Sequence, residues 1–225
     1  YLFKLRFLYG FDTPISRALG YGKSLHDALA EIHAESLKGK IPGKDDITRL
    51  VADHLHLPFA NKLVEENLRK AANKALTRYL QDHGQNLNKL EHVEKIVELK
   101  LAEGIVVSGR IDLIRRTDTK EVVIVDFKSD ERAQAEDISH KQLHIYAVGY
   151  EQLSGKRADL IEIHNLDKGG AKREVVDEAL MASTIATVVE AGRKLREDQL
   201  PRLTSWCEKC ASCDMVGVCR SQPAV

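Results

Sequence analysis

GRIDLIRRTDTKEVVIVDFK, residues 109–128, decides the reading of this chain. Two apolar, β-branched runs each carry an acid, Asp112 in the first and Asp126 in the second. Lys128 follows Asp126 at a spacing of two, and alternate residues of a strand share a face, so the two project together. If the runs pair as a hairpin about Thr117–Thr119, Asp112 sits across from them. Two carboxylates and an ammonium on one sheet face are costly unless they bind something. A divalent cation would neutralise the acids and leave the lysine for chemistry. The leading expectation is metal-dependent phosphodiester cleavage.

Working outward, the period changes from strand to helix on both sides. The spacing predicts strands over Val93–Leu101, Ile105–Arg115 and Glu121–Lys128, joined by short turns at Glu103-Gly104 and Thr117–Thr119. Upstream, LHDALAEIHAESL places Leu25, Leu29, Ile32 and Leu37 near helical spacing over Ser24–Leu37. Lys40–Pro58 reads as a turn and a short helix, and Asn61–His83 as a longer amphipathic helix closed by Gly84. Downstream come a helix over Ala135–Leu153, a strand at Asp159–His164, a return strand near Lys172–Val176, and a helix over Val176–Leu200 stopped by Pro201. The expected fold class is α/β: a mixed central sheet flanked by helices, with a cysteine-rich C-terminal tail.

Bulk composition bounds the answer without choosing it. The 225 residues suffice for one substantial domain, and 43% apolar with 30% charged content describes an ordinary globular protein. The 34 basic and 34 acidic residues cancel, so bulk charge neither supports nor excludes a nucleic-acid partner. No apolar run approaches the roughly 20 residues a membrane span needs. The chain starts at Tyr1, inside YLFKLRFLYGF, and reads as an excised piece of a larger protein.

Three further features sharpen the central one. In GYGKSLH, His26 stands four residues after Gly22 near the start of a helix, and in KQLHIYAVGY, Gln142 and Tyr146 stand one helical turn apart. With Asp112 and the Asp126-x-Lys128 pair, these resemble the PD-(D/E)xK nucleases of RecB and AddB type, with Asp in the (D/E) place. The elements follow in the family's order from Gly22 to Tyr146. Each alone is weak; together they are specific. The N-terminal text also resembles nuclease domains fused to UvrD/Rep-type helicases.

The resemblance implies a restriction-endonuclease-like core and a deoxyribonuclease acting on single-stranded DNA beside a helicase motor, in a cytoplasmic, nucleoid-associated setting. It divides the domain into a helical insertion (40–90), a catalytic core (91–200) and a cysteine tail (201–225). His26, Asp112, Asp126 and the Phe127 backbone carbonyl would hold Mg²⁺ or Mn²⁺. Lys128 would orient water or stabilise the phosphorane-like charge, and Gln142 and Tyr146 would place DNA or steady Lys128. Lys4 and Arg6 would join the DNA path, or form a packed or solvated face. His33, two turns beyond His26, is expected in packing, and Lys141 and His144 in solvent.

All four cysteines lie in the tail, as Cys207-x2-Cys210-x2-Cys213-x5-Cys219. Such clustering suggests metal ligation over disulfides, with zinc or an iron–sulfur cluster both suited to all-sulfur sites. The resemblance favours a [4Fe–4S] cluster on Cys210, Cys213 and Cys219. Related domains take the fourth ligand from a cysteine upstream of the GxxxH helix, which this sequence lacks. Either a residue before Tyr1 or Cys207 would supply it. Two rivals remain: a catalytically idle nuclease fold that docks or binds DNA, and a zinc-binding interaction domain in which the acids are incidental.

Overall fold

The computed structural model describes residues 1–12, 15–129, 136–211 and 213–221. A single π-helical turn (Lys4–Leu8) opens the chain, followed by α1 (Tyr21–Leu37), α2 (Lys44–His54) and α3 (Lys62–His83), and a 3₁₀ segment (Gly84–Lys89). Then come β1 (Leu90–Ala102), β2 (Ile105–Arg116), β3 (Val122–Lys128), α4 (Glu136–Ser154), β4 (Leu160–Asn165), β5 (Ala171–Val175) and α5 (Glu178–Arg196). Two short helices, α6 (Glu208–Ala211) and α7 (Val216–Ser221), lie in the tail, which the periodicity did not reveal. The element types match the expectation, with ends moved by a few residues where caps override periodicity. Asn61 and Asp177 accept from Val64 and Leu180 N–H and so stand just outside α3 and α5. The expected start of α4 at Ala135 lies outside the described residues.

The sheet runs β1-β2-β3-β4-β5, antiparallel except for the parallel β3/β4 pair that α4 connects. It is a mixed sheet with helices on both faces, an α/β sandwich of restriction-endonuclease type. Strand β3 explains why: Val122–Phe127 are all buried, a run that needs cover on both sides. Val123, Val125 and Phe127 pack with Leu25, Ile32, Leu76 and Tyr79 of α1 and α3. Val122 and Ile124 pack instead with Leu143, Tyr146 and Tyr150 of α4. Asp126 and Lys128 continue this second row by strand alternation, which brings them to the α4 side. No helix among the described residues is long and apolar enough to cross a membrane.

Two buried features hold the helical face. His33, Tyr79, Phe127 and His164 form an aromatic cluster in which His33 stacks on Phe127 at 5.6 Å and bonds the Tyr79 hydroxyl at 2.7 Å. His33 is therefore a packing residue. Burial pushes its imidazole down to about 3 and that of His164 to about 4, so both are neutral at pH 7. Beside them, Glu162 of β4 accepts from Arg115 of β2 at 2.7 Å and from Arg173 of β5 at 2.7 Å. This pairing ties three strands across β3.

The entry to α1 is equally constrained. Gly20 has φ 103°, and a Cβ there would stand 2.2 Å from the His56 carbonyl oxygen. Left-handed strain and a backbone clash add, so Gly20→Ala is expected to destabilise the fold by roughly 2–4 kcal/mol. Urea unfolding checks this; a change of no more than about 0.5 kcal/mol, the usual size of an unconstrained surface substitution, would mean the α1 entry is not fixed there.

Candidate active site

The β2/β3 ladder ends at the pair Leu113↔Val125, one position short of the acids. The next register position would set Asp112 opposite Asp126. There the Asp112 side chain takes the ladder's place, its Oδ2 accepting from the Phe127 backbone N–H at 2.8 Å. The carboxylates thus sit where the strands part. Both are buried, at 8% and 4% exposure, as a solvated turn-capping role would not require.

Each of the other side chains singled out from the sequence reaches this gap from a different element. His26, one turn into α1, places Nδ1 3.4 Å from Asp112 Oδ1. Lys128 places Nζ 2.8 Å from Asp126 Oδ2 and 3.4 Å from Gln142 Oε1. Gln142 in turn donates to the Tyr146 hydroxyl at 2.8 Å. The α4 pair therefore forms a relay ending at the lysine. Tyr146 is also a core residue: its ring lies against Gly109, where a Cβ would come within 2.7 Å of Cε1. Glycine at 109 is what lets the ring approach.

These residues line an open cleft of about 620 Å³, together with Leu19, Lys23, Arg110 and Ser129. Its electrostatics are those of acids short of positive charge. Burial first, then the Asp112 charge, pushes the Asp126 carboxyl up to about 6, against the opposing pull of Lys128. Burial lowers the His26 imidazole, but the Asp112 hydrogen bond and the fields of Asp112, Asp126 and Glu94 together outweigh it, and the net shift is upward. Asp126 Oδ2 is buried, and the Lys128 ammonium at 2.8 Å is its ion-pair partner.

A family model described as the PD-(D/E)XK nuclease superfamily matches residues 1–220. The chain belongs to the PD-(D/E)XK nuclease superfamily. Among solved structures, this nuclease resembles a candidate exonuclease from Eubacterium rectale at 12% identity and TM-score 0.52, covering 93% of this chain and 79% of that one. That likeness shows a shared fold. SSO0001 is a looser match, at 16% identity and TM-score 0.39, covering 86% of this chain and 94% of that one. No curated protein matches the chain.

PD-(D/E)XK nucleases use Mg²⁺ or Mn²⁺, and the donors here fit such an ion. Carboxylate oxygens with one imidazole suit hard or borderline divalent cations, and two buried carboxylates that share the single Lys128 ammonium leave negative charge that a cation would neutralise. The tail is less convergent. Cys207 and Cys210 bring their sulfurs to 3.8 Å, but no three thiols among the described residues lie within 4.8 Å of one another. The Cys207 backbone, then the Arg220 guanidinium, lower the Cys210 thiol, which favours the ligating thiolate.

Some residues differ from the sequence reading. Lys4 and Arg6 are ion-paired to Asp198 at 2.7 Å and Asp214 at 2.6 Å, so they tie the N-terminal turn to the end of α5 and to the tail. Lys141 is exposed as expected, but His144 is buried: its Nδ1 meets the His140 carbonyl and its Nε2 accepts from Asp177 N–H at the start of α5. Glu94 escaped notice altogether. It stands beside His26 and Asp112 although nothing in VEKIV marks it.

The Asp126 shift has a testable sign. Its folded pKa, about 6, exceeds the ordinary aspartate value of 3.8, so the group's stabilising contribution is full below the unfolded value and lost as pH rises through about 6. In chelator, Asp126→Asn is expected to melt above the wild type at pH 7, and the gap to close as pH falls toward about 4. A gap independent of pH would refute the assignment.

Proposed function

We propose that this chain is a Mg²⁺- or Mn²⁺-dependent deoxyribonuclease whose site comprises His26, Asp112, Asp126, the Phe127 carbonyl, Lys128, Gln142 and Tyr146. The observation that carries the reading is the buried Asp126 carboxylate, 2.8 Å from the Lys128 ammonium and beside Asp112, on the wall of an open cleft. When bound, the metal would supply Lewis-acid polarisation of the scissile phosphate and acidify water.

The chain's own residues do the rest. Asp112 is held in place by the Phe127 N–H, so its second oxygen, beside His26, is directed to a cation. Lys128 is drawn toward the reaction centre by Asp126 and steadied from behind by Gln142. Its ammonium would stabilise charge developing on the phosphoryl oxygens or orient the attacking water. Lys23 and Arg110 on the cleft wall suit the DNA backbone.

Single-stranded DNA, a helicase partner and a nucleoid setting are supported by the resemblance in motif order and N-terminal text. A [4Fe–4S] cluster on Cys210, Cys213 and Cys219 rests on the same ground. The Arg6–Asp214 pair brings the N-terminal turn to the cysteine segment, as a cluster stapling the two ends requires. Zinc is the second reading, because the 3.8 Å Cys207–Cys210 separation equals the edge of a tetrahedron with Zn–S of about 2.3 Å. Iron and sulfide analysis against zinc analysis decides between them.

The deciding experiment is cleavage of end-labelled single- and double-stranded DNA with Mg²⁺, Mn²⁺ or EDTA. Cutting that requires the ion supports the proposal, and the two labels give its polarity. A folded, iron- or zinc-loaded protein that binds DNA without cutting it under any ion would establish the idle-module rival.

A further inference from the structure

Arg110 is the one guanidinium on the cleft wall among the described residues. Its backbone is fixed on both sides: it bonds the Tyr146 hydroxyl, and it pairs with Ile96 in the β1/β2 ladder. Its side chain is held from behind. Glu94 of β1, which does not itself line the cleft, sets Oε2 2.6 Å from Arg110 Nε. The Glu94 backbone is left-handed, φ 49°, a conformation glutamate rarely adopts, and its side chain is only 22% exposed. The contact uses Nε alone. The terminal nitrogens Nη1 and Nη2 meet no partner among the described residues, and the Arg110 side chain is 55% exposed.

A guanidinium held through Nε keeps its planar Nη1/Nη2 edge for two parallel hydrogen bonds to one phosphate. The other cations of the cleft offer no such fork. Lys23 is an exposed ammonium paired to Asp27, and Lys128 is engaged by Asp126 and Gln142. Arg110 stands two strand residues, about 7 Å, from Asp112, so the phosphate it takes flanks the one at the acids. We propose that Arg110 grips the phosphate next to the scissile one, and that Glu94 is a positioning residue that presents the guanidinium to the DNA strand. The inference rests on reading the cleft as a nuclease site. At residue 94 it predicts the opposite of what charge alone predicts. Removing an acid beside the cleft should tighten DNA by lowering repulsion, whereas removing the support of Arg110 should loosen it, because the side chain must then be ordered on binding.

Binding of a short fluorescein-labelled oligothymidylate to the full chain in EDTA, followed by anisotropy over a range of KCl, tests this without cleavage. Arg110→Gln is expected to weaken binding about tenfold and to lower the salt slope by about 0.7, the share of one single-strand phosphate. Arg110→Lys should restore the slope but only part of the affinity, since it returns the charge without the fork. Glu94→Asn and Glu94→Gln are both neutral and differ in reach. Asparagine tolerates the left-handed backbone but is too short to meet Nε, and is expected to weaken binding about threefold. Glutamine keeps an acceptor for Nε and should bind within about twofold of the wild type. Thermal unfolding establishes that each variant is folded, and the exposed Arg110 variants test the grip whatever becomes of residue 94. Tighter binding by both Glu94 variants would reduce Glu94 to a repulsive charge and overturn its positioning role. Wild-type affinity and slope in Arg110→Gln would overturn the grip and leave the nuclease reading standing. A wild type that binds no DNA would overturn the nuclease reading, and the inference with it.

Discussion

Lys128→Ala is expected to reduce metal-dependent DNA cleavage by about 10²–10³-fold, the usual effect of removing one preorganised charge-stabilising donor. The fold should survive, since Lys128 ends β3 with its side chain 20% exposed and supports no core contact. Loss should appear in kcat more than in KM, because the ammonium acts on charge that develops only in the transition state. Gln142→Ala provides a graded control. It removes the Lys128 contact and the donor to Tyr146, and should give a smaller loss. If Lys128→Ala cut DNA within threefold of the wild type, the lysine would have no chemical role and the site assignment would fail with it.

The second large effect is on stability, far from the cleft. Glu162→Ala leaves the Arg115 guanidinium buried without its carboxylate, and such a broken pair costs about 3–5 kcal/mol. Removing both partners is different, because the penalty lies in the orphaned charge. Arg115→Met combined with Glu162→Leu should therefore be less destabilised than Glu162→Ala alone. Urea midpoints of the three proteins measure this. A double variant at least as destabilised as Glu162→Ala would show that the orphaned charge is not the source of the loss.

These two effects mark the boundary between what a one-dimensional reading reaches and what it does not. The strand hairpin, the helices around it and the Asp126/Lys128 pairing were legible because periods of 2 and 3.6 are local properties. The order of His26, Asp112, Asp126, Lys128, Gln142 and Tyr146 was legible because each carries chemistry at a fixed spacing within its own element.

Other features had no such signal. Glu94 and Arg110 are ordinary charged residues in strands, and only the β1/β2 register brings Glu94 to Asp112. Arg115 and Glu162 lie 47 residues apart, and burial turns them from surface charges into a structural pair. His144 was expected in solvent as a polar residue beside the Gln142/Tyr146 pair, whereas the packing of α5 on α4 buries it.

By itself, then, the sequence determined the elements, their order and the chemical types at the site, since propensity, periodicity and motif spacing act over a few residues. The tertiary structure alone decided which face of β3 carries the acids to α4, where the β2/β3 ladder parts to set them on the cleft wall, and which distant charges become partners. Those outcomes depend on register and burial, which are set by contacts between elements far apart in the chain.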